Sequence, residues 1–264
     1  MNDRTGVFVI NLDRAKDRWT RISGELDSLS IKYTRVKAVE GATLALPCPD
    51  FNARGYVLRH GKRINPNEIG CFLSHLKAME MFLETDLLHA LVLEDDAHLE
   101  PNAMDIIEQC IARNDGYWDL LRISRVHKGV FLPIDTLPCG CGICISLTRQ
   151  TGSASYLVNR KAAACMLRHM RPMTLPFDHT FDAEWNLHLN SACLHPAPIN
   201  PLPVESNIGY GRNLKYKWYV RYPTVVPYRA FAESRRFVNR LGRWLGLRIR
   251  IALCGKPAAS AQRA

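Results

Sequence analysis

No run of about twenty apolar residues occurs in this chain, so the sequence provides no helix able to span a bilayer. No Asn-x-Ser/Thr triplet occurs either, which removes one argument for secretion. The first apolar run, Val7-Phe8-Val9-Ile10, is closed by Asn11 and Asp13 and is too short for the apolar region of a signal peptide. Internal repeats are absent, and acids are in the minority. Asp and Glu number 25 against 35 Lys and Arg, a formal net charge of +10. Cysteine is present, nine in all, an odd count at irregular spacing. An odd, irregular set partly inside apolar stretches reads as free thiols in a reducing compartment. Cys139-x-Cys141-x-x-Cys144 has no second Cys or His pair after it, so a buried turn and strand is the reading, not zinc.

The 264 residues are 47% hydrophobic and 23% charged, which supports one sizeable core with room for an appended segment. The basic balance favours phosphate-bearing partners: nucleotides, nucleic acid or an anionic membrane surface. It does not choose among them.

Periodicity predicts a buried strand over 7–12 and a helix over 14–29, with Trp19, Ile22, Leu26 and Leu29 at helical spacing. A second strand is expected over 32–39. Residues 41–66, with Gly, Pro and Asn and little periodicity, read as a loop. Asn67 is expected to cap a helix over 68–83. Strands follow at 90–93, 119–123, 142–147 and 155–158, and helices at 102–112, opened by Pro101, and 160–170. Alternating strand and helix in the first half argue for a mostly parallel sheet, with antiparallel strands added in the second.

The stretch Ala90-Leu91-Val92-Leu93-Glu94-Asp95-Asp96 is the most informative. An apolar strand ends in three carboxylates, which repel one another and lose solvation if buried. A cation neutralises such a cluster, and Mg2+ needs only one or two carboxylates beside a substrate diphosphate. Ligands of α/β folds sit beyond the carboxyl ends of strands. A metal–diphosphate site is therefore one reading, and a solvated turn after a strand is the other.

From Arg229 to Arg250 there are seven arginines and one acid, Glu233. Phe237, Val238, Leu241, Trp244, Leu245 and Ala252 share one helical face, with Arg235, Arg236, Arg240, Arg243 and Arg250 elsewhere. A basic amphipathic helix of this kind suits an anionic interface; a terminal helix docked on the core is the plainer alternative. The chain is divided accordingly into residues 1–227 and a basic segment, 228–264.

Three ordered segments carry a resemblance: Val9-Ile10-Asn11-Leu12-Asp13-Arg14 with Asp17-Arg18, then Asn67-Glu68-Ile69-Gly70-Cys71-Phe72-Leu73-Ser74-His75, then Leu91 to Ala97. Trp118-Asp119-Leu120-Leu121, Tyr156-Leu157-Val158 and Pro176-Phe177-Asp178 extend it over about residues 5–210. The chain resembles glycosyltransferase family 25, which includes lipooligosaccharide and collagen galactosyltransferases. The resemblance implies an α/β fold of GT-A type, a nucleotide-sugar-binding fold with a mixed, mostly parallel central sheet. It also implies sugar transfer from a UDP-sugar, generally with inversion. The chain lacks the long extra domain of the animal collagen enzymes and an ER-retention ending, which favours the lipopolysaccharide branch. A cytoplasmic place, peripheral to the inner face of the plasma membrane, is the matching expectation.

Glu94 and Asp96 resemble the outer acids of the family's metal motif. Asp96 is expected to be the direct ligand of Mn2+ or Mg2+, with Glu94 acting through water or ribose. Asp95 is placed with the donor or pointing away, since strand side chains alternate. Asn11 is expected to bind base or ribose. Arg14 and Arg18, four apart on one helical face, reach phosphate unless they are a plain surface pair. By resemblance Ser74 and His75 lie near the nucleotide; a lone helical histidine is otherwise usually structural. The base that takes the acceptor proton is sought among Asp178, Asp182, Glu184 and Glu205. Asp178, beside His179, fits the family's Pro-x-Asp pattern; a helix N-cap is its plainer role. Glu205 departs from the family's Gln.

Galactose is the first donor sugar by family, ahead of glucose and N-acetylglucosamine, and the acceptor is a saccharide or glycolipid. Two other classes compete. An inactive relative serving as a membrane-bound scaffold would fail to turn over donor, and the intact acidic triad argues against it. A nucleic-acid binder would shift short duplex DNA in a salt-sensitive way. The terminal helix has Trp and Leu where a solvated arm would be polar, so no nucleic-acid partner is expected.

Overall fold

The computed structural model describes residues 4–114, 116–124, 126–203 and 215–254. Glu205 and the chain's last residues, 255–264, lie outside them.

The first half alternates strand and helix: β1 (Thr5–Asn11), α1 (Lys16–Ser28), β2 (Tyr33–Lys37), α2 (Ala53–His60), α3 (Pro66–Leu83), β3 (His89–Glu94), β4 (Ala97–Leu99) and α4 (Ala103–Ala112). Then come β5 (Leu120–Arg122), β6 (Phe131–Thr136), β7 (Gly142–Ser146), β8 (Ser155–Asn159), α5 (Arg160–His169), α6 (Phe177–Phe181), β9 (Ser191–His195), β10 (Ile199–Pro201), α7 (Trp218–Arg221) and α8 (Val225–Cys254).

Eight strands form one mixed sheet in the order β2-β1-β3-β8-β5-β9-β7-β6. The parallel pairings are β2 with β1, β1 with β3 and β5 with β9. The antiparallel ones all involve β7 or β8, in the second half as expected. Both faces of β1 and β3 are covered, which is why they read as unbroken apolar runs. Val7, Val9, Leu91 and Leu93 join one layer with Ile22, Leu26 and Trp118. Phe8, Ala90 and Val92 join the other, with Phe72, Leu76 and Tyr156. Each large side chain so buried contributes roughly 1.5–3 kcal/mol.

Register positions the site. Ile10 pairs with Glu94, so the parallel strands β1 and β3 release Asn11 and Asp95 side by side at one edge. The helix α3 packs against the chain after β2 with no side chain between. A Cβ on Gly70 would meet the Val39 carbonyl at 2.6 Å, and one on Gly41 the Pro66 carbonyl at 2.3 Å.

Several expectations need correction. The stretch read as loop contains α2, whose N-terminus Asn52 caps by accepting from the Gly55 amide. Asn65, not Asn67, caps α3, with Pro66 in its first turn. Strand β6 has no counterpart in the sequence reading. The arginine pattern of α8 is inverted. Arg236, Arg240 and Arg243 face the core, and Trp244 donates from its indole to the Pro133 carbonyl. Val238 is 67% exposed and Leu245 47%, so part of the apolar face named from the sequence points outward, while Trp244 of the same face packs on the core.

The reason lies in two acids. Asp182, fully buried, meets Arg122, Arg236 and Arg240, and Glu184 takes two hydrogen bonds from Arg240 at 2.7 Å each. The helix α8 is therefore tied to the core by buried ion pairs, and position 227/228 falls inside its first turn.

Candidate active site

Two cavities meet at the end of β3. The first, about 650 Å³, is lined by Asn11, Arg14, Arg18, Ser74, His75 and the three acids, among others. The second, about 660 Å³, runs past Glu68, Ser153, Phe177 and Asp178. Cys71, Glu94 and Asp96 belong to both. The eight residues expected at the donor and metal, together with Asp178, thus line one joined space, while the base candidates Asp182 and Glu184 do not.

Their roles differ from expectation in places. The Asn11 amide is spent: it donates to Asp95 (2.8 Å) and accepts from Arg35 (2.6 Å). Its part is to fix Asp95 rather than to offer a free amide to a nucleotide. Asp95 turns toward α1, where Arg18 pairs with it at 3.0 Å. Arg21 donates to the Asp95 and Ala97 carbonyls and holds the turn after β3. Arg14 pairs with Glu40 on the open side of the first cavity. The Ser74 hydroxyl donates to the Gly70 carbonyl and accepts from the Val39 amide, so it fastens the cavity wall.

His75 is fully buried and stacks on Phe177, with centroids 4.0 Å apart. Its Nδ1 lies 2.9 Å from the Tyr156 hydroxyl and its Nε2 3.4 Å from Glu94. Ser153 donates a short hydrogen bond to Glu94. Burial opposes ionisation of Glu94, but His75, Ser153 and the charge of Arg18 outweigh it, and its carboxyl is held below the ordinary value.

Asp96 is the opposite case. Its Oδ1 is buried with no hydrogen-bond partner among the described residues. Burial, then the charges of Glu94 and Asp95, push its carboxyl up to about 7. A divalent cation would relieve that state. Among the described residues no three His, Cys, Asp or Glu side chains form a metal cage of their own. The donor set is then one or two carboxylates, the number Mg2+ takes beside substrate phosphates. The residues fit such an ion.

Of the base candidates, Asp182 and Glu184 are removed by their buried arginine partners. Asp178 remains on the second cavity, accepting from the Gly152 amide (3.2 Å) and from the His179 amide (2.9 Å) in the first turn of α6. Glu205 lies outside the described residues. Sequence reasoning gave Glu68 no role. It is buried, hydrogen-bonded by the Tyr56 hydroxyl and 3.5 Å from both Lys62 and His60. Cys139, Cys141 and Cys144 are not in disulfides, with Cys141 and Cys144 buried and Cys139 exposed.

Residues 4–133 match the family described as Glycosyltransferase family 25 (LPS biosynthesis protein). The chain belongs to glycosyltransferase family 25. A Haemophilus influenzae protein named provisionally as a glycosyltransferase is 26% identical over 220 residues, which cover 78% of this chain and 76% of that one. A glycosyltransferase 25 family member of Anopheles gambiae is 34% identical over 70% of this chain, and the zebrafish (Danio rerio) procollagen galactosyltransferase 1 is 27% identical over 69%. The chain spans 32% of the length of each of these two animal proteins. Among solved structures, Staphylococcus aureus TarS 1–349, in complex with UDP-GlcNAc, aligns over 95% of this chain and 75% of its own at a TM-score of 0.39 and 10% identity. A likeness that distant carries no argument about function.

Proposed function

We propose that this family 25 chain transfers a sugar, galactose first among the candidates, from a UDP-sugar to a lipid-linked saccharide such as a lipopolysaccharide core, with inversion. In this reading the sheet and its edge site are of GT-A type. The observation that carries it is the meeting of two cavities at Asp96, a half-buried carboxylate whose Oδ1 is buried and has no partner among the described residues. The first cavity takes the nucleotide, with Arg14 and Arg18 near the diphosphate and Asn11, Asp95 and Ser74 holding its wall. The second takes the acceptor. Asp178 accepts the proton of the acceptor hydroxyl as that oxygen bonds to the anomeric carbon and the bond to UDP breaks. His75 holds Glu94 in place. Asp96 and Glu94 would hold Mn2+ or Mg2+, which supplies charge neutralisation for the leaving diphosphate.

The reading places the enzyme in the cytoplasm at the inner face of the plasma membrane. Phe231, Val238, Leu245 and Ile249 form an exposed apolar stripe on α8, with Arg235 and Arg248 beside it. Each basic side chain near an anionic surface is worth roughly 1 kcal/mol. No described helix is long and apolar enough to cross a membrane, so attachment would be peripheral.

A donor-hydrolysis screen over UDP-sugars, with and without Mn2+, tests the assignment. Release of UDP from one UDP-sugar, dependent on the ion, is expected. No turnover of any UDP-sugar would favour the scaffold alternative.

A further inference from the structure

A third cavity, about 590 Å³, lies between α6, the chain after it and α8. Arg59, Arg149, Arg229 and Arg235 line it, together with His60 and His179. A fifth arginine of the wall, Arg236, pairs with Asp182 and Glu233, and none of the other four guanidinium groups makes an ion pair with a carboxylate among the described residues. Arg59 donates to the Thr174 hydroxyl and lies over the Tyr228 ring, and Arg235 lies over Phe231. Arg149 and Arg229 have no side-chain partner among the described residues. The one acid in the wall, Glu233, is taken by Arg236. Burial, then the charges of Arg149 and Arg221, outweigh the opposing charge of Glu233 and make the Arg229 guanidinium easier to deprotonate than usual. Like charges converging in a half-buried cleft repel one another unless an anion sits between them.

The cavity also touches the reaction space. His60 and His179 meet edge to face, with centroids 5.4 Å apart. Glu68, which His60 faces, and Asp178, next to His179, line the acceptor cavity on the other side. Arg149 belongs to the short stretch that also carries Gly152, which donates to Asp178, and Ser153, which donates to Glu94. An anion held by Arg149 would steady the segment that positions both acids.

We propose that this cavity binds a phosphate group carried by the acceptor. Two unpaired guanidinium groups match the charge of a phosphomonoester, about −1.5 to −2 at neutral pH, and their planar forks suit its oxygens. The proposal rests on the reading that the acceptor enters past Asp178.

The test is calorimetric titration of the full chain, saturated with UDP, with inorganic phosphate, a hexose 6-phosphate and a short-chain phosphatidic acid. The wild type is compared with the Arg149→Gln/Arg229→Gln double variant, whose UDP affinity and melting temperature serve as controls. Binding of at least one phosphate probe, weakened tenfold or more in the variant at unchanged UDP affinity, is the expected result. Preference for the hexose phosphate puts the group on a saccharide, and preference for the phosphatidic acid puts it on a lipid; either upholds the site. No binding to the wild type, or equal binding to the variant, overturns it. Failure of the wild type to bind UDP strikes the donor reading instead, and is read separately from the phosphate titration.

Discussion

The Nε2 of His75 stands 3.4 Å from the Glu94 carboxylate, while Nδ1 of the same ring stands 2.9 Å from the Tyr156 hydroxyl. Burial, then the charge of Glu94, raises the pKa of Tyr156 well above its ordinary value, so the phenol keeps its proton. It can donate to Nδ1 and leave the Nε2 proton for Glu94. The chain Tyr156–His75–Glu94 thus sets the charge and the aim of the first acid after β3.

His75→Ala is expected to cut turnover about tenfold or more, the scale of losing a hydrogen bond to a charged group. Glu94 is held below its ordinary value, so losing His75 moves its ionisation to higher pH. The acid limb of the rate profile should shift upward in the variant. A profile unchanged in shape would show that His75 only fills space against Phe177.

Asp96→Asn is expected to abolish transfer while raising thermal stability. A carboxyl raised to about 7 costs the fold nothing below its ordinary value, and stability falls as pH rises through about 7. Removing its charge should therefore raise the melting temperature at pH 8 and change it little at pH 4. The wild type should gain stability from UDP with Mn2+, and the variant should lose most of that gain. Full activity in excess EDTA would sink the metal assignment.

Asp178→Asn should lower turnover by a factor of about 10²–10⁴, the usual contribution of a general base, with UDP affinity within about twofold of wild type. Calorimetry with UDP separates the two effects. Collapse of UDP binding along with activity would make Asp178 a structural residue that closes the first turn of α6.

Much of this site was legible in the sequence because it sits on regular elements. A strand buried on both faces must be continuously apolar, so β1 and β3 announced themselves, and their ends fixed Asn11 and the three acids. What was not legible depends on tertiary partners. The helix α2 is short, carries Gly55 and has little periodicity, and only its docking stabilises it. Asp182 and Glu184 look like any acids near a catalytic segment until Arg122, Arg236 and Arg240 are seen around them. For the same reason the inward turn of the α8 arginines was hidden. A pattern of hydrophobic residues assumes that arginine faces water, and here two buried acids draw arginine inward.

Arg240→Ala is expected to cost about 3–5 kcal/mol, since it strands the buried Glu184 and takes from Asp182 one of its three arginine partners. Burial works against the charge of Arg240, but Glu184 and Asp182 outweigh it and raise its pKa. For a chain of this size the melting temperature should fall roughly 10 °C. Arg240→Lys should recover only part, because a point charge cannot replace the fork that reaches both acids. A melting temperature within a degree of wild type would show that the clamp contributes nothing net.

The outward face of α8 can be tested without touching that clamp. Val238→Glu with Leu245→Glu changes two exposed side chains, so the fold and transfer to a small soluble acceptor should survive. Sedimentation with anionic vesicles should fall sharply, because acids replace the apolar stripe and oppose the neighbouring Arg235 and Arg248. Neutral vesicles should pellet little of either protein, and salt should release the wild type from anionic ones as screening grows. Cutting the whole helix away is the poorer experiment, since it also exposes Asp182 and Glu184 and confounds attachment with folding. Equal pelleting of wild type and the double variant, or binding indifferent to lipid charge, would show that this stripe meets something other than an anionic bilayer.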